Sequence, residues 1–442
     1  MSIAQDNEDL TRVGPGTVMG QFMRRFWIPA AMSNELVADD TPMRLMLLGE
    51  KLIAFRDTSG RVGIMDHRCP HRCASLFLGR NEYDGIRCIY HGWKFDTGGN
   101  CVDQANVPPA QQFKDKVKAK AYPAIERNGL VWVYMGTAQD APGLPDIEAT
   151  LVPEGQAQIS FLQRECNWLQ GLEGDIDTSH FGFLHAGSLE LDDFPDGHPG
   201  RHTIVNRAPE YKVADTDWGT MYGAYREDED GRMSWRVAHF SFPFWAHTPN
   251  QEFTKRVVGK AWVPMDDAHT MLVSVFGGTA GSRNISNVPL KNGKLIPGGE
   301  PIEYLPNATD WYGRWRPTAN AANDYLIDRD AQRKNLIYSG IRGIVMQDQA
   351  ITESMGPITD HAFEHLAPTD LMIARTRRRL LRAARAFAET GQLPPGARDP
   401  RVYQGIRSGA FQVDPATDWQ QAYADQLKIA TRWVRPHEQA AE

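Results

Sequence analysis

The sequence predicts an α+β protein, with a small antiparallel β-domain followed by a larger domain of antiparallel sheet flanked by helices. Three observations support this fold class. At roughly 150 residues per domain, 442 residues correspond to about two or three domains. Short β-rich runs between turn clusters dominate residues 38–150. From about residue 320 onward the pattern is helical, so the helices are concentrated in the second domain.

The first two segments of the chain differ in their periodicity. Residues 1–37 contain VGPGTVMGQFMRRFWIPA, a turn followed by one short amphipathic helix, so we expect an N-terminal helical segment with strands only after it. Two β-rich runs, RLMLLGEKLIAFRD and RVGIMDH, flank turn residues 57–60, which is typical of a hairpin. NGLVWVYMG (128–136) predicts another strand. Residues 38–150 are therefore expected to form the β-domain.

The rest of the chain, residues 151–442, is expected to form the larger domain. Residues 203–280 have the pattern of strands, with a hairpin predicted at 227–231. Residues 284–311 are rich in Asn, Gly and Pro and predict a long surface excursion. A helix is predicted at 371–390 from an apolar stripe, which consists of Leu371, Ala374, Leu380, Ala384 and Phe387.

Composition and charge exclude several classes of protein. With 41% hydrophobic and 23% charged residues, the chain can bury large cores and is not globally disordered. The net charge of −7 argues against nucleic acid as the main partner. No stretch approaches the ~20 apolar residues of a membrane span, and the polar, acidic N-terminus does not resemble a secretory signal. Five cysteines do not make a disulfide scaffold in a chain of this length, so we expect a cytoplasmic protein whose cysteines are thiols or metal ligands.

The β-domain contains a motif with the composition of a metal site. Cys69-Pro70-His71 is followed, after sixteen intervening residues, by Cys88-Ile89-Tyr90-His91. Each half supplies one thiolate and one imidazole, and two such loops facing each other can place two thiolates on one iron and two imidazoles on the other. A Rieske [2Fe–2S] cluster requires that division. The alternative is a structural zinc site, but zinc modules usually pair Cys with Cys and His with His.

Three other residues near this motif are predicted to have no ligand role. Cys73 and Cys101 have no matching half-motif, and we expect both to be small buried residues. His67 precedes the first cysteine ligand by two residues and is expected to lie at the surface or behind the ligands.

A second metal motif lies in the larger domain. His180 and His185 follow a run of carboxylates and suggest two ligands of a 2-His-1-carboxylate iron site, which leaves one face of the metal open for O2. At about 100° per residue, two residues five apart lie ~140° apart on a regular helix and cannot share one ion. We therefore predict a π-type turn or a break here, which Gly182 makes easy. The alternative is two histidines on an ordinary helix.

The third ligand must come from elsewhere in the chain. Residues 340–360 belong to the helical part and offer Asp348, Glu353 and Asp360. Asp348 is the preferred residue because it is embedded in an apolar helical run, where an unpaired carboxylate would be costly. Glu353 is the second choice.

The two motifs, in this order, resemble those of the Rieske non-haem iron aromatic-ring-hydroxylating oxygenases. The resemblance covers nearly the whole chain, and more narrowly the chain resembles the oxygenase component of the phthalate 4,5-dioxygenase group. It rests on four segments: LTRVGPGTVMGQFMRRFWIPA, CPHRCASLFLGRNEYDGIRCIYHGWKFDTGGNCVD, LEGDIDTSHFGFLH, and the segment from DYLIDRDAQRKNLIYSGIRGIVMQDQ to LMIARTRRRLL. Where relatives commonly have CPHRG, this chain has Cys73.

The resemblance implies a fold and a set of site residues. It implies a Rieske domain followed by a catalytic domain of helix-grip, START-like fold, with Asp177 between the cluster of one subunit and the iron of its neighbour as a bridge for electrons. The cluster ligands would be Cys69, His71, Cys88 and His91. The ligands of the mononuclear iron would be His180, His185 and Asp348.

The resemblance also implies a function. We expect a terminal oxygenase that uses O2 and, through a separate NADH-dependent flavin and iron–sulfur reductase, cis-dihydroxylates an aromatic carboxylate such as phthalate or a chloro- or phenoxybenzoate. The alternative is a Rieske monooxygenase or demethylase acting on an aromatic acid. A more remote alternative is a non-catalytic Rieske electron-transfer protein. The resemblance also implies a homo-oligomer, either a trimer or a stacked hexamer. The chain has no GxGxxG after a predicted strand, so electrons must come from a partner.

The substrate contacts are the least determined part of the site. A carboxylate substrate favours arginine partners, for which Arg207 is the first candidate and Arg236 another. Residues 240–245 (FSFPFW) suit either the wall of an apolar pocket or an ordinary core strand. The arginines between 375 and 385 would form either a basic face for a reductase or a solvated helix face.

Overall fold

The computed structural model describes residues 2–196, 198, 200–228, 230–279, 288–294, 296 and 301–434. Eight α-helices lie in this part of the chain. They are α1 (Ile3–Thr11), α2 (Val18–Met23), α3 (Trp168–Ile176), α4 (Arg201–Val205), α5 (Arg329–Arg333), α6 (Ile344–Ser354), α7 (Leu371–Thr390) and α8 (Trp419–Ile429). Among them, none combines the length and the apolar character that a membrane crossing needs.

The N-terminal segment contains two helices and a strand. Ser2 and Thr17 cap α1 and α2 by accepting hydrogen bonds from backbone N–H groups in the first turn. Strand β1 (Trp27–Met32) follows directly, so the expectation that strands begin only after residue 37 is wrong. The reason is long-range pairing, because β1 pairs antiparallel with a strand about one hundred residues later. The domain boundaries at residues 37 and 150 stay a prediction.

The β-domain is built from three small antiparallel sheets. Their strands are β1, β2 (Met43–Leu47), β3 (Glu50–Arg56), β4 (Val62–Asp66), β5 (Arg80–Asn81), β6 (Ile86–Arg87), β7 (Trp93–Phe95), β8 (Cys101–Gln104), β9 (Ala121–Tyr122), β10 (Ala124–Arg127) and β11 (Leu130–Tyr134). The sheet orders are β1-β11-β10, β2-β3-β4-β9 and β5-β6-β7-β8. The predicted hairpin around residues 57–60 joins β3 to β4, and the predicted strand at 128–136 is β11.

The larger domain is organised around one antiparallel sheet of eight strands. These are β12 (Gln158–Arg164), β13 (Glu210–Asp215), β14 (Gly219–Glu227), β15 (Met233–Ser241), β16 (Trp245–His247), β17 (Arg256–Pro264), β18 (Thr270–Gly278) and β19 (Gly409–Val413). The order is β12-β18-β17-β16-β15-β14-β13, and β19 also pairs with β15. Helix α3 packs on one face of this sheet through Trp262, whereas α8 packs on the other through Trp419 stacked on Trp235.

The C-terminal part is helical, as predicted, with one exception. Strand β19 lies among the helices and pairs with β15, a contact that a five-residue segment does not reveal by periodicity. The expected surface excursion at 284–311 includes residues 284–287, 295 and 297–300, which lie outside the described residues. Its described C-terminal end packs against the core through the half-buried side chains of Ile302, Tyr304 and Trp311.

The arginines of α7 are mostly paired with carboxylates of other elements. Arg375 and Arg379 pair with Asp215 of β13. Arg377 pairs with Glu173 of α3 and with Glu364, at 2.6 and 2.5 Å. These arginines attach α7 to the rest of the domain, which argues against a free basic face on this helix.

Candidate functional site

The two Cys/His loops of the β-domain have the same backbone design. Cys73 N–H donates to Cys69 O at 2.8 Å, and Gly92 N–H donates to Cys88 O at 2.9 Å. The N–H of each cysteine in turn donates to the carbonyl oxygen five residues later: Cys69 N–H to Ala74 O and Cys88 N–H to Trp93 O, both at 2.8 Å. The fifth residue of each loop has a positive φ, +60° at Cys73 and +76° at Gly92. The loops are therefore structural equivalents, and Cys73 occupies a left-handed position that favours glycine.

The side chains of these loops meet as two thiols and two imidazoles. Cys69 and Cys88 are buried, and the rings of His71 and His91 lie with their centroids 4.5 Å apart. Trp93 stacks on His71 at 4.4 Å. The Nδ1 atom of His91 is buried without a hydrogen-bond partner, as expected of a nitrogen whose partner is a metal. The donor set and this orphaned nitrogen fit a [2Fe–2S] cluster with mixed ligands.

The cysteines of the β-domain differ in exposure. Burial raises the pKa of the Cys69 thiol to about 11, although the backbone N–H groups of His71 and Arg72 partly offset it by donating to the sulfur. Cys101 is buried, as predicted. Cys73 is exposed, so the expectation that it is buried is wrong. It occupies the left-handed position of its loop, at φ +60°, and not a place in the domain core.

The second site begins where α3 ends. The helix is capped at its start by Asn167 and ends at Ile176, with Asp177 as its C-cap residue, and a π-helical turn follows over Phe181–His185. Ala186 N–H donates to Phe181 O at 3.1 Å, a bond across five residues. This turn brings His180 and His185 to the same side, so the prediction of a π-type turn is confirmed.

The two histidines meet a carboxylate from a helix far along the chain. His180 Nε2 and His185 Nε2 lie 3.1 Å apart. Asp348 Oδ1, from α6, lies 3.1 Å from His185 Nε2 and 3.6 Å from His180 Nε2. Ligand atoms that each lie about 2.0–2.2 Å from one ion are about 3 Å or more from one another. The separations between the three side-chain atoms are of this size. The three side chains therefore fit a mononuclear metal ion.

Further side chains orient each histidine of this group. Asp177 Oδ2 lies 3.4 Å from His180 Nδ1, and its other oxygen accepts from the Ser179 backbone N–H and hydroxyl. Gln347 Oε1 lies 2.6 Å from His185 Nδ1. Both contacts are with Nδ1, so both histidines direct Nε2 toward Asp348.

The electrostatics of the group favour a cation at its centre. Burial alone would raise the pKa of Asp348, but the neighbouring His185 and His180 outweigh it and hold that pKa well below its usual value. Burial likewise opposes protonation of His180, yet Asp177 and Asp348 raise its pKa overall. Two imidazoles and one carboxylate facing a common point, with a second carboxylate behind His180, favour a divalent metal ion there.

The two rival carboxylates from the same segment lie elsewhere. Glu353 accepts hydrogen bonds from Glu165 N–H at 2.9 Å and from Tyr325 Oη at 2.7 Å. Asp360 accepts from Ala362 N–H in an exposed turn. Among the described residues, Asp348 is the carboxylate that forms, with the two histidines, a group that could hold a metal ion.

Arg207, the first candidate for a substrate contact, holds the π-turn region together. Its Nη1 donates to Gly182 O at 2.6 Å and its Nη2 to Leu189 O at 3.1 Å. Both terminal nitrogens of its guanidinium therefore donate to backbone carbonyls. The aromatic run at 240–245 belongs to the main hydrophobic core, but it is not one strand, because residues 242–244 form the turn that joins β15 to β16.

Gln347 was not identified by sequence reasoning. Its amide is fully buried and links His185 to Ile341 O, to which Nε2 donates at 2.7 Å. One signal was available, because Gln347 directly precedes Asp348 in α6 and a buried amide there needs partners. Its partner could not be read from the chain.

Two known families match the chain. The family described as Rieske [2Fe-2S] domain matches residues 26–116. The family described as LigXa C-terminal domain like matches residues 133–441. Together they span both sites.

Curated relatives align over nearly the whole chain. The 3-chlorobenzoate-3,4-dioxygenase oxygenase subunit of Comamonas testosteroni is 51% identical, over 98% of this chain and 100% of its own. The phthalate 4,5-dioxygenase oxygenase subunit of Pseudomonas putida is 35% identical, over 95% and 94%. The 5,5'-dehydrodivanillate O-demethylase oxygenase subunit of a Sphingobium species is 32% identical, over 92% and 86%.

A solved structure shares the fold. The structure of a Pseudomonas putida CBB5 NdmA mutant with theobromine is similar with a TM-score of 0.57 and 19% identity. The similarity covers 90% of this chain and 99% of that one. At this identity the similarity shows the fold alone, a β-domain followed by the sheet-and-helix domain.

Proposed function

The chain belongs to the Rieske non-haem iron oxygenases, and from this we propose that it is the terminal oxygenase component of a system that cis-dihydroxylates an aromatic carboxylate. The observation that carries the proposal is the presence in one chain of two donor sets that could bind metal: the Cys/His loops, and the group formed by His180, His185 and Asp348. Relatives that act on chlorobenzoate and phthalate support an aromatic acid as the substrate class.

We assign one [2Fe–2S] Rieske cluster and one mononuclear Fe(II) to each chain. Cys69, His71, Cys88 and His91 would hold the cluster. His180, His185 and Asp348 would hold the mononuclear iron. When bound, the cluster supplies single electrons and the iron supplies activation of O2, the co-substrate.

The protein's own groups prepare the iron site for this chemistry. Asp177 and Gln347 keep the Nδ1 protons of His180 and His185 in place, so that both Nε2 lone pairs face the same point. The side chain of His185 is almost fully buried, whereas those of His180 and Asp348 are each 27% exposed. One side of the group is therefore shielded from water and the other is accessible to a substrate ring.

Asp177 is proposed to bridge two sites in an oligomer. Its Oδ1 is satisfied by Ser179, while Oδ2 faces His180 and the side chain remains 20% exposed. A cluster histidine of a neighbouring subunit could donate to this carboxylate and provide a short electron path to His180. The oligomer is proposed to be a homotrimer or two stacked trimers, served by a separate NADH-dependent flavin and iron–sulfur reductase in the cytoplasm.

Product identification tests the proposal. The purified protein would be supplied with a compatible reductase, NADH, labelled O2 and a panel of phthalate, chlorobenzoates, phenoxybenzoates and methoxybenzoates. A cis-dihydrodiol, or the catechol derived from it, carrying both labelled oxygens is the expected product by mass spectrometry. NADH consumption with no product from any acid in the panel would contradict the aromatic-acid assignment.

The second candidate function is monooxygenation or demethylation of an aromatic acid. It is favoured by the 32% identity to an O-demethylase oxygenase subunit, because the same metal residues serve both reactions. In the same assay it predicts formaldehyde release or a single labelled oxygen in the product. A non-catalytic electron-transfer protein is the remote alternative, and it predicts about two irons per chain instead of three.

A further inference from the structure

The two histidines of the Cys/His loops lie against different aromatic rings. The ring of His71 is stacked on Trp93, with an angle of 5° between the two planes. The ring of His91 lies against Tyr90, with the centroids 3.8 Å apart. Trp93 is 4% exposed, whereas Tyr90 is 53% exposed. The two histidines therefore have different surroundings, although their loops are equivalent.

A second aromatic ring connects Trp93 to the surface. Phe113 meets Trp93 edge-on, with the ring centroids 5.6 Å apart, and it is 45% exposed. Trp93 Nε1 donates to Asn106 Oδ1 at 2.7 Å. The backbone N–H of Phe113 donates to Oε1 of the buried Gln104 at 2.9 Å. Both rings are thus held in place, and His71, Trp93 and Phe113 form a continuous row from a cluster ligand to solvent.

The surface beside Phe113 is basic. The seven residues that follow it, KDKVKAK, contain four lysines and one aspartate, in a chain whose net charge is −7. Lys120 pairs with Glu50. Lys116 and Lys118 are exposed, and neither is paired with a carboxylate of the described residues. The basic face is defined as Phe113, Lys114, Lys116 and Lys118.

The basic face has the unpaired charge that the arginines of α7 lack. Arg375, Arg377 and Arg379 are paired with carboxylates of this chain, so their charge is already compensated. An unpaired lysine attracts anions over the Debye length, which is about 8 Å at physiological salt. Protein interfaces commonly have an aromatic centre and a polar rim, and an exposed ring among lysines has that composition. The basic face therefore suits an acidic protein.

The chemistry of the Rieske cluster indicates which acidic protein this is. A plant-type [2Fe–2S] centre has a potential well below that of a Rieske cluster, so it can reduce one. One electron passes from the donor to the cluster, the donor is oxidised, and no covalent bond forms or breaks. Because electron transfer slows steeply with distance, the donor must lie close to a cluster ligand. Phe113 is the exposed end of the row that begins at such a ligand.

We propose that the basic face is the docking site for an acidic iron–sulfur domain of the reductase, with Phe113, Trp93 and His71 as the route of electron entry. The inference rests on the proposed function and names the surface that its electron donor uses. It leaves His91 to face the Asp177 carboxylate of a neighbouring subunit. The two cluster histidines then have separate roles, one in electron entry and the other in electron exit.

The rate of cluster reduction tests the lysines. The probe is an acidic plant-type [2Fe–2S] ferredoxin, reduced beforehand and mixed with the intact, iron-loaded protein in a stopped-flow instrument. In the double variant Lys116→Gln/Lys118→Gln, the second-order rate at about 10 mM ionic strength should fall roughly 10-fold, the lower end of the effect of electrostatic steering. At about 1 M salt, where the Debye length is about 3 Å, this variant and the unaltered protein should react equally fast.

Phe113→Ala tests the contact itself. The rate should fall about 10-fold at both salt concentrations, because the loss of a central apolar contact is not screened by salt. Reduction by dithionite, a small donor that needs no docking, should be unchanged in this variant and in the lysine variant. Calorimetry with oxidised ferredoxin and oxidised protein gives a measure without electron transfer. At low salt the affinity should fall in both variants.

A basic electron acceptor should respond in the opposite direction. Ferricytochrome c takes one electron from the reduced cluster, and the lysines of the basic face repel its positive surface. Lys116→Gln/Lys118→Gln should therefore speed this reaction at low salt while it slows reduction by ferredoxin. A damaged fold would slow both reactions, and equal slowing of both would overturn the inference.

Two further variants serve as controls. Lys291→Gln/Lys294→Gln removes two exposed lysines from the larger domain and should leave both reactions unchanged. Tyr90→Ala removes the exposed ring beside the other histidine and should not slow reduction by ferredoxin. If Tyr90→Ala slowed this reduction while Phe113→Ala did not, electrons would enter at His91 and the inference would be overturned.

The remaining outcomes separate this inference from the proposed function. If the unaltered protein dihydroxylates an aromatic acid but both variants of the basic face are reduced at the normal rate, the inference fails and the proposed function stands. A changed oligomer mass in these variants would assign the face to contacts between copies of this chain, and the inference would fail in the same way. A purified protein without a cluster would overturn both. Should Phe113→Ala lose its cluster absorbance, the lysine variant decides, because its two side chains are exposed and unpaired.

Discussion

His185 is oriented by a single buried amide, that of Gln347. The Nδ1 atom of His185 lies 2.6 Å from Gln347 Oε1, and the Nε2 of the same amide donates to Ile341 O at 2.7 Å. The second bond determines which way the amide points, so Oε1 must face the histidine and Nδ1 must carry the proton. The lone pair of Nε2 is then directed toward Asp348, which lies on the same helix as Gln347.

Gln347 is therefore expected to control iron retention. Gln347→Leu removes the acceptor and should lower iron affinity by about 10- to 100-fold, the usual effect of losing a partner behind a metal-bound histidine. Gln347→Glu keeps an acceptor and should retain more iron than Gln347→Leu. Metal analysis after dialysis against a weak chelator measures this. Gln349→Leu removes a neighbouring buried amide that donates to Glu353, and it should keep its mononuclear iron.

Replacing the carboxylate of the metal group tests which residue holds the iron. Asp348→Ala should reduce the iron content from about three to about two per chain while the visible spectrum of the cluster is unchanged. Glu353→Gln should keep all three irons, because Glu353 is bound to Tyr325 and the Glu165 backbone and not to the histidines. Cluster loss in Asp348→Ala, or iron loss in Glu353→Gln, would contradict this assignment.

Asp177→Asn tests the electron bridge. The substitution keeps the shape of the side chain but removes its charge, so both iron sites should load normally. We expect product formation to fall by at least about 10-fold, because the link to a neighbouring subunit depends on the charged carboxylate, whereas the oxygen of Asn can still accept from His180 and keep it in place. Single-turnover oxidation of the reduced cluster, followed by stopped-flow absorbance, separates this effect from a loss of substrate binding. A normal rate of cluster oxidation would exclude the bridge.

The strained position at Cys73 predicts a stabilising substitution. Cys73 has φ +60° at the place where the equivalent loop has Gly92. Cys73→Gly should stabilise the β-domain by up to about 1 kcal/mol, since a non-glycine residue in this region is strained by roughly that amount. The converse change, Gly92→Ala, should destabilise the loop, because a Cβ there would meet the Ala105 Cβ at 2.8 Å. Thermal melting followed at the cluster absorbance compares the two.

A pair of buried histidines predicts how stability depends on pH. Burial, and for His239 also the proximity of His247, lowers their pKa values to about 3 for His239 and about 4 for His247. The folded protein therefore binds fewer protons than the unfolded chain once the pH falls below the ordinary histidine pKa of about 6.5. Stability is fully present above that pH and should decrease as the pH falls toward 4, by at most about 1.4 kcal/mol per pH unit and per histidine.

The melting temperature between pH 8 and pH 5 measures this dependence. His247 Nδ1 lies 3.0 Å from Val258 O and Nε2 lies 3.0 Å from Ser241 Oγ, so the ring is held in one neutral form. His247→Gln should lower the melting temperature at pH 8 but flatten its decline on acidification. An equally steep decline in this variant would assign the acid sensitivity to other groups.

The sequence by itself determined the parts of this protein whose chemistry is local. The two Cys/His loops each place their donors within four residues, so their spacing alone predicts a mixed-ligand cluster. The π-turn followed from arithmetic, because two histidines five residues apart can share an ion only if the helix widens. Asp348 was preferred on the cost of burying a carboxylate, although the residues alone left Glu353 open.

Tertiary structure decided everything that depends on strand register and on contacts between distant segments. The pairing of β1 with β11 and of β19 with β15 brings together segments separated by about one hundred residues or more, and short strands give no periodic signal of their partners. The same holds for the row that joins Tyr211 of β13, Ala224 of β14 and Arg236 of β15, since shifting a strand by one residue would turn each side chain to the other face. Local spacing determined the metal chemistry, whereas register decided which buried side chains lie beside the metal-binding group.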